Sequence, residues 1–170
     1  MSVPVIAIEV LGGASGAAAV AAARELLLEY GQFVLQSEGP ARFCFGKLQD
    51  EADGLPGNFS RMGGGFLLAW VDGVAAGCVT YRAMPAVEGG CEMKRLWVRS
   101  DFRGLGLGER LTLELFERAR AAGYSAVYLD TMPASMAAAY RMYERLGFAV
   151  CAPYHNGVAD GVVFMRRGLV

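Results

Sequence analysis

Residues 96–111, LWVRSDFRGLGLGERL, constrain the chain more than any other stretch: an apolar run of strand character meets a glycine-rich turn that opens directly into a helix. Gly104, Gly106 and Gly108 carry no Cβ, so the backbone there can approach a ligand closely and take positive φ. The first amides of the following helix have no intrahelical acceptor. With the positive end of the helix dipole behind them, they favour a pyrophosphate. By itself such a junction reads equally as one of several nucleotide folds or as a packing turn.

Composition narrows the choice. A chain of 170 residues can bury a core without staples, and a single domain over residues 1–170 is expected. Hydrophobic residues make up 54% and charged residues 19%, which excludes a disordered polymer, and a net charge of −1 offers no basic footprint for nucleic acid. Cys44, Cys78, Cys91 and Cys151 form no Cys-x-x-Cys pair and His155 is the single histidine, so reduced, mostly buried thiols and no metal site are expected. His155, in a predicted loop beside Asn156 and Gly157, reads as exposed rather than catalytic. The alanine-rich start lacks a basic n-region. Glu9, Gly12 and Gly13 interrupt its apolar run, and Arg24 and Glu25 bound it short of the ~20 residues a membrane span needs. A cytoplasmic protein with no membrane segment is the expectation.

The pattern along the chain predicts an α/β domain. Residues 3–10 read as a strand, and 17–36 as a helix whose face is Val20, Ala23, Leu27, Tyr30 and Val34, with Arg24, Glu25 and Glu29 turned away from it. A short helix over 43–51 and a mobile loop over 53–65 follow. Asp72-Gly73 between residues 66–71 and 74–82 is a strong hairpin signal, because a two-residue turn between twisted strands needs positive φ. Another strand spans 91–98, completing an antiparallel meander. Then the order changes to βαβ: a helix over 108–122 with Leu111, Leu115 and Ala119 inward, closed by Gly123, and a strand over 126–131 parallel to the one before it. A helix over 135–146 and short strands over 148–151 and 161–167 complete the chain.

Two motifs, in this order and about 35 residues apart, resemble the GNAT family of acetyl-CoA-dependent N-acetyltransferases. Arg103-Gly104-Leu105-Gly106-Leu107-Gly108 is similar to the family's Q/R-x-x-G-x-G/A loop, and residues 139–148, AYRMYERLGF, to its A-x-x-L-Y-x-x-L-G-F ending, with Met142 in the leucine position. The segments LQDEADGLPGNF, LLAWVDGVAAGCVTYR, EMKRLWV and LDTMP resemble a bacterial subgroup of small-molecule acetyltransferases. Met136 departs from the asparagine many members have there. The resemblance implies a mixed, mostly antiparallel sheet of about seven strands, splayed at a cofactor groove, with about four helices on its two faces.

It also implies roles. The strand ending at Val98 and the strand over 126–131 should part, so that an extended pantetheine arm pairs with the freed backbone of Leu96, Trp97 and Val98. Cofactor contacts are then expected from these three and from Arg103, Gly104, Leu105, Gly106, Leu107, Gly108, Glu109 and Tyr140. Glu92 is the general base, if its strand raises its carboxyl toward neutrality, or else a carboxylate paired with Lys94 or Arg95 on a solvated face. Tyr143 is the general acid toward the sulfur, with Tyr140 as an alternative helper, and a backbone amide near Val98 is the oxyanion donor. For the acceptor amine, Tyr30, Phe33 and Arg82 are candidate walls, with Arg42, Phe43 and Arg61. Arginines there would suit an acceptor bearing a carboxylate. The expected reaction takes acetyl-CoA and a small-molecule amine, needs no metal, and involves no nucleic acid or membrane. Exposed strand edges would suit a homodimer. Acetylation of a protein amine and a non-catalytic acyl-CoA-binding module stand as alternatives, whereas a Rossmann domain fits poorly because an antiparallel meander comes first.

Overall fold

The computed structural model describes residues 2–39, 45–156 and 158–170. Seven strands form one sheet in the order β1-β2-β3-β4-β5-β7-β6. They are β1 Ile6–Val10, β2 Gly65–Val71, β3 Val74–Ala83, β4 Gly90–Val98, β5 Ala126–Thr131, β6 Ala149–Val150 and β7 Val163–Gly168. Each neighbouring pair is antiparallel except β4 and β5. The helices are α1 Ala17–Glu38, α2 Phe45–Asp53, α3 Asn58–Arg61, α4 Leu107–Ala121 and α5 Ala137–Arg145, with a 3-10 turn at Ser100–Phe102. None of the described helices is long and apolar enough to cross a membrane.

The hairpin forms where Asp72-Gly73 predicts it, with φ of 48° and 80° at its two central residues. Strand alternation then sorts the apolar side chains to the sheet's two faces. On one, Leu67, Val79, Cys91, Met93, Val127 and Leu129 pack against Leu111, Leu115 and Ala119 of α4 and Met142 and Tyr143 of α5. On the other, Phe66, Leu68 and Cys78 pack against α1, α2 and α3. The inward positions expected for α4 are fully buried, and Gly123 at φ 89° follows the helix end, where a left-handed residue costs glycine little.

Several expectations are corrected. β1 begins at Ile6 because β2 ends opposite it at Val71; Val5 instead meets the turn, its amide donating to Asp72 Oδ1 at 2.9 Å. The supposed mobile loop over 53–65 holds α3. There Phe59 is buried edge-on to Phe66, centroids 6.0 Å apart, and Asn58 Nδ2 donates to the Glu51 carbonyl at 2.8 Å. Burying one phenyl ring contributes about 1.5–3 kcal/mol, enough to outweigh the loop-like composition around it. With α3, the described residues hold five helices, close to the four or so expected. Glu29 does not turn away from the sheet: it accepts from Trp97 Nε1 at 3.0 Å and from Arg99 Nη2 at 2.8 Å. The helix expected from Ser135 starts at Ala137, and Ser135 donates to Glu38 Oε1 at 2.9 Å. Cys78 and Cys91 are buried and Cys151 half-buried, all three free; burial pushes the Cys91 thiol up to about 12. Cys44, with the candidate walls Arg42 and Phe43, lies outside the described residues.

Candidate active site

The sheet splits at its one parallel pair. β4 and β5 are paired from Gly90↔Ala126 to Glu92↔Tyr128 and no further, although β4 runs on to Val98 and β5 to Thr131. Past Glu92, β5 keeps its other neighbour, β7, up to Thr131↔Val163. The edge of β4 that faces the split is therefore left without a partner strand among the described residues, and an extended ligand can satisfy it.

A β-bulge interrupts β4 along its opposite edge, where it pairs with β3. Against β3, the register passes from Cys78↔Trp97 to Thr80↔Lys94, so that Arg95 and Leu96 oppose the single residue Val79, and Arg95 takes φ 58°. The extra residue sends Arg95 toward α1 and α2. Its guanidinium binds both carboxylate oxygens of Glu51 at 3.0 and 3.1 Å and lies over the Tyr30 ring at 5.5 Å. Burial opposes its charge, but Glu51 overrides this and holds the Arg95 pKa above its ordinary value. Leu96, after the bulge, packs into the core on the α4 side. Strict alternation from Glu92 would have placed both residues wrongly. The signal available was two consecutive cations, Lys94-Arg95, inside a strand whose other residues, Glu92 apart, are apolar or glycine.

Beyond β4 the chain turns into α4 through the glycine loop. Gly104 and Gly106 take φ of 82° and 71°, and Gly106 is the N-cap of α4 with no side-chain cap. Nothing lies within 4 Å of where a Cβ at either glycine would be, so the requirement there is conformational and not spatial. Leu96, Trp97, Val98, Arg103, Gly104, Gly106, Leu107, Gly108 and Glu109 all line one groove of about 320 Å³ between this loop and α5. Two expected members do not. Leu105 packs against the small cluster containing Leu107, and Tyr140 against the main core. Arg103 lies over the Trp97 ring at 5.6 Å and donates to the Val98 carbonyl at 3.3 Å, so it braces the loop from within.

Glu92 and Tyr143 stand on opposite faces of the split. Glu92 is 4% exposed, and its Oε1 is held by Arg82 Nη2 at 3.0 Å and Lys94 Nζ at 3.4 Å. Arg82 is its direct cross-strand neighbour. The ion pair foreseen for Glu92 thus exists, but buried and with Arg82 in the place considered for Arg95. Both Glu92 and Arg82 line a cavity of about 690 Å³ reaching Lys47, Tyr154 and His155. Tyr143 is buried, and desolvation, with a smaller push from the Asp130 carboxylate, raises its hydroxyl well above its ordinary pKa, so it carries its proton. It lines a second cavity of about 150 Å³, as does Tyr30. Phe33 packs against Trp97 with tilted rings, centroids 5.3 Å apart, and borders none of these spaces, nor does Arg61. Lys94 and Asp130 border both the 690 and the 150 Å³ cavities, and Leu96 both the 150 and the 320 Å³ ones. The three spaces therefore run in series along the split.

His155 is exposed, as its loop position predicts, but it is not without partners. Its Nε2 lies 2.9 Å from Asp130 Oδ2, and its ring packs at 4.9 Å on Phe164. The neighbouring Tyr154 hydroxyl is buried beside the Glu92 carboxylate without a hydrogen bond of proper geometry, and desolvation with that charge drives its pKa upward. No local motif announces these residues; they come from a loop that β7 carries back to β5.

The sequence profile of the acetyltransferase (GNAT) family matches residues 21–148. The chain belongs to that family of acyltransferases. Over 94 residues it is 40% identical to an uncharacterized N-acetyltransferase of Schizosaccharomyces pombe, covering 55% of this chain and 56% of that one. Over 98 residues it is 38% identical to the N-acetylaspartate synthetase of Homo sapiens, covering 58% and 30%. The chain thus spans about half, or less, of the length of these relatives. Among solved structures, an acetyltransferase from Salmonella typhimurium with its cofactor acetyl-CoA shares the fold, with a TM-score of 0.73 and 22% identity over 97% of this chain and 94% of that one.

Proposed function

We propose that this protein transfers an acetyl group from acetyl-CoA to a primary amine of a small molecule by direct attack in a ternary complex. The observation that carries this reading is the series of cavities along the split, with Glu92 at one end and the protonated Tyr143 at the middle. In balance, R–NH3⁺ and the thioester give the amide, free thiol and one proton. Glu92 takes a proton from the ammonium, directly or through water, and the nitrogen attacks the thioester carbonyl. A backbone amide near Val98 stabilises the oxyanion. Tyr143 protonates the departing sulfur. Amides of the loop around Gly106 hold the pyrophosphate.

The acceptor end suits a small molecule, since 690 Å³ falls within the range of small-ligand sites. Arg82 and Lys94 there favour an acceptor with a carboxylate, and a relative named N-acetylaspartate synthetase supports an amino-acid acceptor. A second reading, an acyl-CoA-binding module without catalysis, draws on one observation: Glu92 already has two cations on Oε1. Titrating acetyl-CoA and then assaying thiol release over a panel of amino acids, polyamines and peptides separates the two. Turnover on an amino acid is the expected result, and binding with no turnover on any amine would favour the module.

A further inference from the structure

Among the polar side chains that share the 150 Å³ cavity, Thr131 stands apart. Lys94 is engaged by Glu92, Arg95 by Glu51, Asp130 by His155 and Glu38 by Ser135. Thr131 is 3% exposed, and its hydroxyl is buried with no hydrogen-bond partner among the described residues. A desolvated hydroxyl without a partner lowers stability, and a fold retains one most readily where a ligand completes it. Its place in the strand says which ligand. Val127 and Leu129 alternate with Thr131 and lie in the core that holds Tyr143, so all belong to one face. Counting on in parallel from Glu92↔Tyr128, Thr131 comes level with Arg95, where the β4 backbone leaves its ladder. Met136, on the same cavity, offers a thioether and no donor.

We infer that Thr131 is a positioning residue for the acyl donor, its hydroxyl hydrogen-bonding the last amide or the thioester carbonyl of the donor's arm as that arm passes Tyr143. This rests on the acyl-CoA reading above. A hydroxyl kept for the ligand has a signature that a structural one lacks: removing it weakens binding without weakening the fold.

The test compares wild type with Thr131→Val, which keeps the shape, and Thr131→Ser, which keeps the hydroxyl. Calorimetry uses three probes: acetyl-CoA, coenzyme A without the acyl group, and adenosine 3′,5′-bisphosphate, which has no arm. Thr131→Val should bind acetyl-CoA about 3- to 10-fold more weakly, the range of one net hydrogen bond, with the bisphosphate unchanged and the melting temperature of the ligand-free protein equal or higher. Thr131→Ser should recover most of the affinity. An equal loss for coenzyme A assigns the bond to the amide, and a loss confined to acetyl-CoA assigns it to the carbonyl; both support the inference. Unchanged acetyl-CoA binding, equal loss for all three probes, or a lower melting temperature for ligand-free Thr131→Val would overturn it. Wild type that binds no coenzyme A species would overturn the acyl-CoA reading itself, and this inference with it.

Discussion

The groove proposed for the donor and the cavity proposed for the acceptor lie on one split in one sheet, yet they are built by opposite means. The groove comes from one nearly continuous stretch, Leu96 to Glu109, closed by α5, and its character is that of a backbone: a free strand edge, two glycines at positive φ and the first amides of α4. The cavity draws on α2, β3 and the turn after it, β4, β5 and the loop before β7, and its character is that of paired side chains, Glu92 with Arg82 and Lys94, and Asp130 with His155. Under the reading proposed above, the donor is met by main chain, which few substitutions alter, and the acceptor by side chains, each of which can change alone.

The contrast is most severely tested at Gly106. Valine at φ 71° is strained whatever the space around it, by at least the 1–2 kcal/mol of the left-handed region, and relief would re-aim the amides of α4. Gly106→Val should abolish measurable heat of acetyl-CoA binding while the protein still unfolds cooperatively, a few degrees lower. Normal binding by this variant would mean the groove does not depend on backbone shape. Next in size is Tyr143→Phe, which should lower turnover roughly 10²-fold, the scale of general-acid catalysis, with acetyl-CoA affinity little changed. Unchanged turnover would return Tyr143 to the core as a packing residue. At the acceptor end, Arg82→Leu should raise KM for an amino-acid acceptor about 10-fold, in keeping with one charged hydrogen bond, and leave acetyl-CoA affinity alone. If kcat falls and KM does not, Arg82 serves Glu92 and not the acceptor, and the carboxylate preference is lost.

The same division decides what could be read from residues alone. The glycine loop, the hairpin at Asp72-Gly73 and the inward face of α4 are local patterns, and all stand where the pattern puts them. The positions Glu92 and Tyr143 could be singled out through the motifs around them, but not their separation onto two faces, which follows from the sheet. The bulge at Arg95 and Leu96 breaks the period of two that strand reading assumes. Glu29 looked solvent-facing because helical periodicity cannot see Arg99 and Trp97, 70 and 68 residues away. The contact of His155 with Asp130 has no local signal, since nothing near it in sequence supplies Asp130. Thr131 gave no signal at all, because a threonine in a strand is unremarkable until its hydroxyl is found without a partner.

Glu29 supplies the smallest and sharpest test, for it is a side chain that serves the backbone-built end. Burial would raise its pKa, but the bonds from Arg99 and Trp97 outweigh burial and hold it below the usual 4.5. A carboxyl depressed in the folded state stabilises the protein above its unfolded value and loses that contribution as pH falls through the folded one. Because the pair is partly exposed, with Arg99 at 25% and Glu29 at 36%, its worth is at most about 1 kcal/mol. Glu29→Gln should therefore lower the melting temperature by about 1–4 °C at pH 7. The gap from wild type should narrow as the pH is taken below 4.5, and acetyl-CoA affinity should not move, because the groove's amides and glycines do not touch this carboxylate. A gap that stays constant down to acid pH would show that packing, not charge, links α1 to the end of β4. A loss of acetyl-CoA affinity would show that the donor end depends on side chains as the acceptor end does, and the distinction between them would fall.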